Sequence, residues 1–479
     1  MSPDAIFWSL ISFYWVSFVW DLYVAFRQYK VHLNCAKRPD HVSEIISEED
    51  YDKARRYKLD KHRFGFVQAI FGCLQTSIVF VFNILPEIWE LTGNWSRFLG
   101  LHGEIWHSIM FLSCCTIAEN IISLPFSFYD TFVIEQKHGF NKETVPFFFQ
   151  DKAKKILVSL VITAPITAGV IWIVSVGGQY FFFYLWIFLC VVIFAMMTIY
   201  PEFIAPLFDK YTPLPASELK EKIEALARRV EFPLKKLYVV ENSKRSSHSN
   251  AYMYGFWKNK RIVLYDTLLS QELNDQLTKL ADEEKSKNGQ KQSSGGESDT
   301  KSEEPNKDDT KKRFGMSDDE VVAVLGHELG HWKLFHSVGN LVIAELNILL
   351  LLAVFAYFYR QESLYAAFGF SSQPVIWHYL EIKNHLFFQI VIGFMIVFQF
   401  VTAPYNELVS IAMSFISRWA EFSADRFSAK LGYAGLMQSA LIKIGKDNLS
   451  LPIDDPLYSM INHSHPPIPE RIAALKKYV

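Results

Sequence analysis

The sequence predicts an all-α membrane bundle joined to a small α+β domain. Seven apolar runs, at about 5–26, 64–86, 105–126, 156–178, 180–200, 339–359 and 384–404, are each long enough to cross a hydrocarbon core of about 30 Å as a helix. Between the fifth and sixth, the 201–338 stretch changes to amphipathic and short-strand patterns and carries His327-Glu328-Leu329-Gly330-His331. Composition agrees: the 479 residues are 50% hydrophobic and 16% aromatic, and a net charge of −2 offers no basic field for nucleic acid.

The first run reads as a span. It lacks the basic start and small-residue cleavage site of a signal peptide and carries Trp8, Trp15 and Trp20. The fourth and fifth runs meet at Gly177-Gly178, which predicts a helical hairpin, and no internal repeat is visible. The cysteines are Cys35, Cys73, Cys114, Cys115 and Cys190; none forms a Cys-x-x-Cys pair, so they read as buried thiols. Asp21, Gln68, Gln75, Asn83, Glu119, Glu345 and Asn347 lie in the spans, where lipid would not tolerate them, and together they predict a wet interior.

Basic residues set an orientation. Ten fall between Arg27 and Arg63, Arg97 stands alone after the second span, and Lys137, Lys142, Lys152, Lys154 and Lys155 follow the third. The positive-inside rule then places the N-terminus outside the cytosol, and 201–326 and the C-terminus inside it. The expected division is membrane helices 1–5 in 1–200, a zinc domain in 201–338, helices 6–7 in 339–404 and the rest of the zinc domain in 405–479.

In the soluble part, Leu219, Ile223, Leu226 and Val230 form one stripe of a helix over 217–231. Leu237–Val240 reads as a strand, and Asn250–Gly255 with Arg261–Tyr265 as a hairpin. Asp266 is expected to cap a helix through Leu268, Leu269, Leu273 and Leu277. The 281–313 stretch is rich in Glu, Lys, Ser, Gly and Asp without apolar periodicity, which predicts a disordered insert. Ser317, followed by Asp318, Asp319 and Glu320, is placed to cap the next helix.

That helix carries the chemistry. Two histidines four apart share one helix face and can bind one zinc ion, with Glu328 beside it as a base. The flanks Val321, Val322, Val324, Leu325, Trp332, Leu334 and Phe335 bury the helix, and buried imidazoles and carboxylate are costly without a metal or other partners. A catalytic zinc wants a third ligand, and Glu421 is the best downstream candidate. Asp425, one turn later, can accept a hydrogen bond from a ligand histidine and fix its tautomer. Near the C-terminus, His463-Ser464-His465-Pro466-Pro467 and Arg471 could deliver a cation to an oxyanion. The plainer reading is a histidine-containing turn before a final helix. Lys476-Lys477-Tyr478-Val479 reads equally as an endoplasmic-reticulum retrieval tail or a solvated helix end.

These motifs resemble the type I CAAX prenyl endopeptidases, integral membrane zinc proteases, over almost the whole chain. The resemblance rests on Tyr129–Asn141, Pro201–Phe208, Asn250-Ala251-Tyr252 with Gly255-Phe256, His327–His331, Glu421–Asp425 and His465-Pro466 with Arg471. It implies seven transmembrane helices enclosing a hollow chamber capped by the metalloprotease domain. It implies one zinc per chain, a substrate strand at Asn250, Ala251 and Tyr252, and removal of the last three residues of farnesylated CaaX proteins. In vertebrates the implied substrate is prelamin A, cut twice, in the endoplasmic reticulum and nuclear inner membrane. Rival readings are a membrane quality-control protease that needs no prenyl group, a site-2-type intramembrane protease, which Glu421 fits poorly, and a transporter or lipid-binding protein with structural zinc, for which paired broken helices are missing and Glu328 has no use.

Overall fold

The computed structural model describes residues 1–240, 251–255, 260–289, 315–370 and 390–479, without the side chains of 281–289. The chain opens with α1 (Pro3–Asn34) and α2 (Glu48–Val81), of 32 and 34 residues. At about 1.5 Å per residue each is near 50 Å long, well beyond the bilayer core. Most of the basic segment expected between spans is therefore helix standing outside the membrane. Ser47 starts α2 by accepting from the Asp50 amide, and Glu48, Glu49 and Asp50 in the first turn suit the helix dipole.

After α2 the chain turns at Asn83, which adopts the left-handed conformation (φ 52°), into α3 (Ile84–Phe98). Asn83 is thus a corner residue that ends α2, a role its short polar side chain suits. Between the apolar runs at 64–86 and 105–126 the sequence suggests only a connecting loop, 87–104. That expectation fails for most of its length: Leu85, Trp89, Thr92 and Ser96 recur at helical spacing and bury one face of α3.

Then come α4 (Glu104–Tyr129), prolonged by a π-turn to Glu135, α5 (Val145–Val176) and α6 (Phe181–Ile199). Gly178 makes the α5–α6 hairpin with φ 59°, as expected. Next follow β1 (Tyr211–Pro213), α7 (Glu218–Arg229), β2 (Leu234–Val240), β3 (Ala251–Tyr254), β4 (Lys260–Tyr265) and α8 (Gln271–Gly289). Ser270, rather than Asp266, starts α8 by accepting from the Leu273 amide; Asp266 opens a short 3-10 turn instead. The backbone of α8 runs nine residues into the expected insert, because Ala, Asp, Glu and Lys there are compatible with an exposed helix. The rest of the insert lies outside the described residues.

The second half contains α9 (Asp318–Lys333), α10 (His336–Phe358), α11 (Glu362–Ala367), α12 (Ile390–Ile396, with a π-turn to Val401), α13 (Ala403–Ser428), α14 (Ala434–Asp447), α15 (Pro456–Asn462) and α16 (Ile468–Leu475). Among the described residues, six helices are long and apolar enough to cross a membrane. A seventh span is reached if Ile390–Val401 and the helix after it, bent by 62°, count as one.

The sheet has the order β1-β2-β4-β3, with β2 and β4 parallel and the outer pairs antiparallel. In the β3–β4 hairpin Ala251 faces Leu264 and Tyr254 faces Arg261, leaving β3 as an edge strand. Ile223 of α7, Ile262 and Leu264 of β4, and Leu325 and Leu329 of α9 are fully buried in one core. A separate aromatic core joins Phe7, Phe80, Trp89, Phe111, Phe181 and Phe355. These lie at the start of α1, the end of α2, the first half of α3 and of α4, the start of α6, and near the end of α10, so one end of the bundle is closed. In the most apolar stretch of each span only 6–17% of the residues are buried. Most of their surface is left for lipid or an interior space, and polar groups gather there. Tyr405 donates to Asn347, Cys190 to Glu345, and Gln68, Gln75 and Glu119 line a groove between α2 and α4.

Candidate metal centre

Ser317 and Glu320 form a full capping box at the start of α9. Glu320 is itself buried and pairs with Ser439 and Lys443 of α14, which fixes the helix from its N-terminus. Ten of the sixteen residues of α9 are buried. Only one turn separates α9 from α10, with Phe335 left-handed (φ 58°) at the corner. Helix α13 likewise follows directly on Ile390–Val401, at the 62° bend. Both helices that carry candidate ligands are therefore continuous with membrane helices, which sets the site where the bundle meets the sheet domain.

Glycine lets α9 and α13 approach. A Cβ on Gly326 would stand 3.1 Å from Ser428 Oγ, and one on Gly330 would stand 3.2 Å from Ala424 Cα. At that separation Glu421 and Asp425 of α13 reach the histidines of α9. His327 Nε2 and His331 Nε2 are 3.1 Å apart, Glu421 Oε2 is 3.4 Å from the first, and Glu421 Oε1 is 3.2 Å from the second. A tetrahedron with ligand bonds of about 2.0–2.1 Å has edges of about 3.3 Å, so these donor spacings fit one metal ion. Glu421 Oε2 is also buried without a hydrogen bond of good geometry. Among the described residues, His327, His331 and Glu421 form the one such metal-binding group.

Around this triad, His327 Nδ1 is 2.8 Å from Asp425 Oδ1. Arg471 grips Asp425 through both carboxylate oxygens at 2.8 and 2.7 Å and lies 3.2 Å from Glu421 Oε2. His465 Nδ1 is 3.1 Å from Glu421 Oε2, yet the His465 side chain is 66% exposed whereas Arg471 is buried. Burial opposes charge on His327, but Asp425 and Glu421 outweigh it and hold the imidazole up at about 9. Burial would raise Glu421 and Asp425 too, but the histidines and Arg471 hold both below the usual carboxylate range. Glu328 goes the other way: burial raises it, against the pull of His327 and His331. Two imidazoles and the Glu421 carboxylate thus converge as a donor set suited to a cation.

The N-terminal membrane helix holds the 453–455 segment, which leads through α15 to His465. Arg27 pairs with Asp455 at 3.0 Å, Gln28 with Asp454 at 2.7 Å, and His32 lies 3.1 Å from the Ile453 carbonyl. Lys476 pairs with Glu44, and 476–478 form an exposed 3-10 turn after α16. Ala251 is buried in β3 and Tyr252 shares a hydroxyl contact of 2.9 Å with Tyr211, while Asn250 lies outside the described residues.

Sequence reasoning missed Gly330, His336 and Ser423 at the site, and the 27–32 anchor. A glycine inside the His-Glu-x-x-His run and a further histidine five residues after His331 were the available signals.

Two family models tile the chain: a CAAX prenyl protease N-terminal domain of five membrane helices over 28–210, and peptidase family M48 over 213–479. The chain belongs to peptidase family M48. It is 50% identical to the CAAX prenyl protease 1 homolog of Caenorhabditis elegans, covering 100% of this chain and 99% of that one. It is 42% identical to the human CAAX prenyl protease 1 homolog, over 98% and 95%. The crystal structure of S. mikatae Ste24p matches with a TM-score of 0.82 and 33% identity over 99% of both chains. As an M48 member it is a multi-pass membrane metallopeptidase.

Proposed function

We propose that this protein is a zinc endopeptidase of the endoplasmic reticulum and inner nuclear membrane. It removes the last three residues of farnesylated CaaX proteins and, where prelamin A is present, makes a further upstream cut. The observation that carries this reading is the His327–His331–Glu421 triad set on helices continuous with the membrane bundle. The names of the full-length relatives support the substrate class.

When bound, one zinc held by His327, His331 and Glu421 would polarise the attacking water and the scissile carbonyl. Glu328 takes the proton from that water and passes it to the amine nitrogen as the C–N bond breaks. His465, exposed beside the triad, donates to the carbonyl oxygen as negative charge grows there. Arg471 was the other oxyanion candidate. Its guanidinium is engaged by Asp425 and Glu421, which favours a role in holding those carboxylates. Asp425 orients His327. The edge strand β3, through Ala251 and Tyr252, pairs with an extended substrate, and Asn250, the residue before it in the sequence, is assigned to the same binding segment. A farnesyl chain of fifteen carbons contributes several kcal/mol if buried, at about 0.8 kcal/mol per CH₂.

The catalytic face looks to the cytosol and nucleoplasm, where prenylated proteins arise. The test is cleavage of a CaaX peptide with and without farnesyl, each with and without a zinc chelator. Chelator-sensitive cleavage that depends on farnesyl is expected. Equal cleavage of both peptides favours the quality-control protease, and chelator-resistant cleavage overturns the zinc mechanism.

A further inference from the structure

His331 has two ring nitrogens, and the metal reading uses only Nε2. Its Nδ1 lies 3.0 Å from Nδ1 of His336. The other nitrogen of His336, Nε2, lies 3.0 Å from Ser423 Oγ. The Ser423 hydroxyl donates to the Ala420 carbonyl at 2.9 Å. His336 is buried, and the Trp419 ring stands edge-on to it at 5.5 Å.

These contacts fix the proton positions in order. A serine hydroxyl has one hydrogen, and here it is spent on Ala420. Ser423 Oγ must then accept, so His336 carries its proton on Nε2. A neutral His336 with that proton presents a lone pair at Nδ1. His331 must therefore donate from Nδ1, which leaves the lone pair of its Nε2 directed at His327 and Glu421. The chain Ala420–Ser423–His336–His331 sets the tautomer a metal ligand needs.

We infer that His336 and Ser423 are positioning residues that hold His331 in its metal-binding tautomer, as Asp425 is placed to do for His327. The inference rests on the reading of His331 as a ligand. His336 is the first residue of α10, and Ser423 lies two residues beyond Glu421 on α13. The relay thus ties a ligand on α9 to the ends of both membrane-derived helices. The left-handed Phe335 corner is what turns His336 back onto His331, and a bulky residue rarely adopts that conformation without need.

The test is the rate at which zinc leaves purified full-length protein for a chromophoric chelator, compared among wild type, His336→Phe, His336→Gln and Ser423→Ala. Phe keeps bulk but cannot accept a hydrogen bond; Gln keeps an acceptor oxygen. Expected is about 10–100-fold faster loss in His336→Phe, a return to within a few-fold of wild type in His336→Gln, and an intermediate rate in Ser423→Ala. A purely packing role would not produce that order. Zinc loss from His336→Phe at the wild-type rate, or equal loss from the Phe and Gln variants, overturns the inference. Should His336→Phe fail to fold, Ser423→Ala decides: an unchanged rate overturns the relay. A wild-type protein that binds no zinc overturns the ligand reading itself, and is distinguished because every variant is measured against it.

Discussion

Gly330 of α9 lies against Ala424 of α13 so closely that a Cβ on it would stand 3.2 Å from the Ala424 Cα. Backbone on the far side cannot swing away as a long side chain would, so any larger residue must part the helices. Glu421 lies one turn before Ala424 and Asp425 directly after it, and parting moves both off His327 and His331. Gly330→Val is expected to cost about 1–3 kcal/mol by overpacking and to lower zinc content, while Gly65→Ala, which would meet nothing within 4 Å, leaves zinc content unchanged. Elemental analysis with a thermal melt checks both; a Gly330→Val protein with full zinc content would mean the spacing is not limiting.

Ligand and base should separate cleanly. Glu421→Ala is expected to lose zinc, because it removes one of three donors. Glu328→Ala is expected to keep zinc and lose at least about 10²-fold in turnover. Zinc content and peptide hydrolysis measured on the same samples test the pair, and near-normal turnover in Glu328→Ala would place the base elsewhere.

Arg471 and His465 should also differ. Arg471→Ala leaves the buried carboxylates of Asp425 and Glu421 without their cation, and removing one partner of a buried ion pair costs about 3–5 kcal/mol. It should lower the melting temperature as well as activity. His465→Ala, at an exposed side chain, should lower kcat with little change in melting temperature. Matching thermal losses in both variants would argue that His465 is structural.

The anchor on α1 offers a test at a distance. Gln28 donates to Asp454 and accepts from the Asp455 amide at 2.6 Å, so Gln28→Leu frees the segment leading to His465. Turnover should fall about tenfold or more with zinc content intact, since a small misplacement of a reacting group is costly. Zinc loss in that variant would show that the anchor supports the ligands instead.

What the sequence showed follows from periodicity and local spacing. Apolar runs, the α7 stripe, the β3–β4 hairpin and the Ser317 cap are local signals, and each has its place in the structure. The ligand candidates His327, His331 and Glu421 were legible because ligand chemistry restricts residue types, and the structure brings them together. What escaped depends on tertiary contact. Helix α3 was hidden because its buried face includes Thr92, Gly93 and Ser96, which read as turn residues. Gln28 and Asp454 are 426 positions apart, and nothing in either neighbourhood marks the pairing. His336 stood in plain view, but only the left-handed Phe335 corner aims it at His331.

Orientation decides which substrates can reach the centre. The orientation proposed from the basic residues has 201–326 and the C-terminus on the cytosolic side, and α3 on the lumenal side. Lumenal exposure would put the sequon Asn94-Trp95-Ser96 within reach of glycosylation. In α3, however, Ser96 is buried, its hydroxyl donates to the Leu101 carbonyl, and Asn94 receives a hydrogen bond from Arg97. Asn94 should therefore carry no sugar in either orientation, and under the proposed orientation Asn448 and Asn462 should carry none either. Sugar on either of the last two would reverse the orientation. Trypsin added to sealed microsomes gives the direct answer: cleavage near Lys301 and Lys307, in a stretch without apolar periodicity, is expected from outside the vesicle. Protection there until detergent is added would put the catalytic domain in the lumen, away from every cytosolic prenylated protein, and the CaaX reading would fall with it.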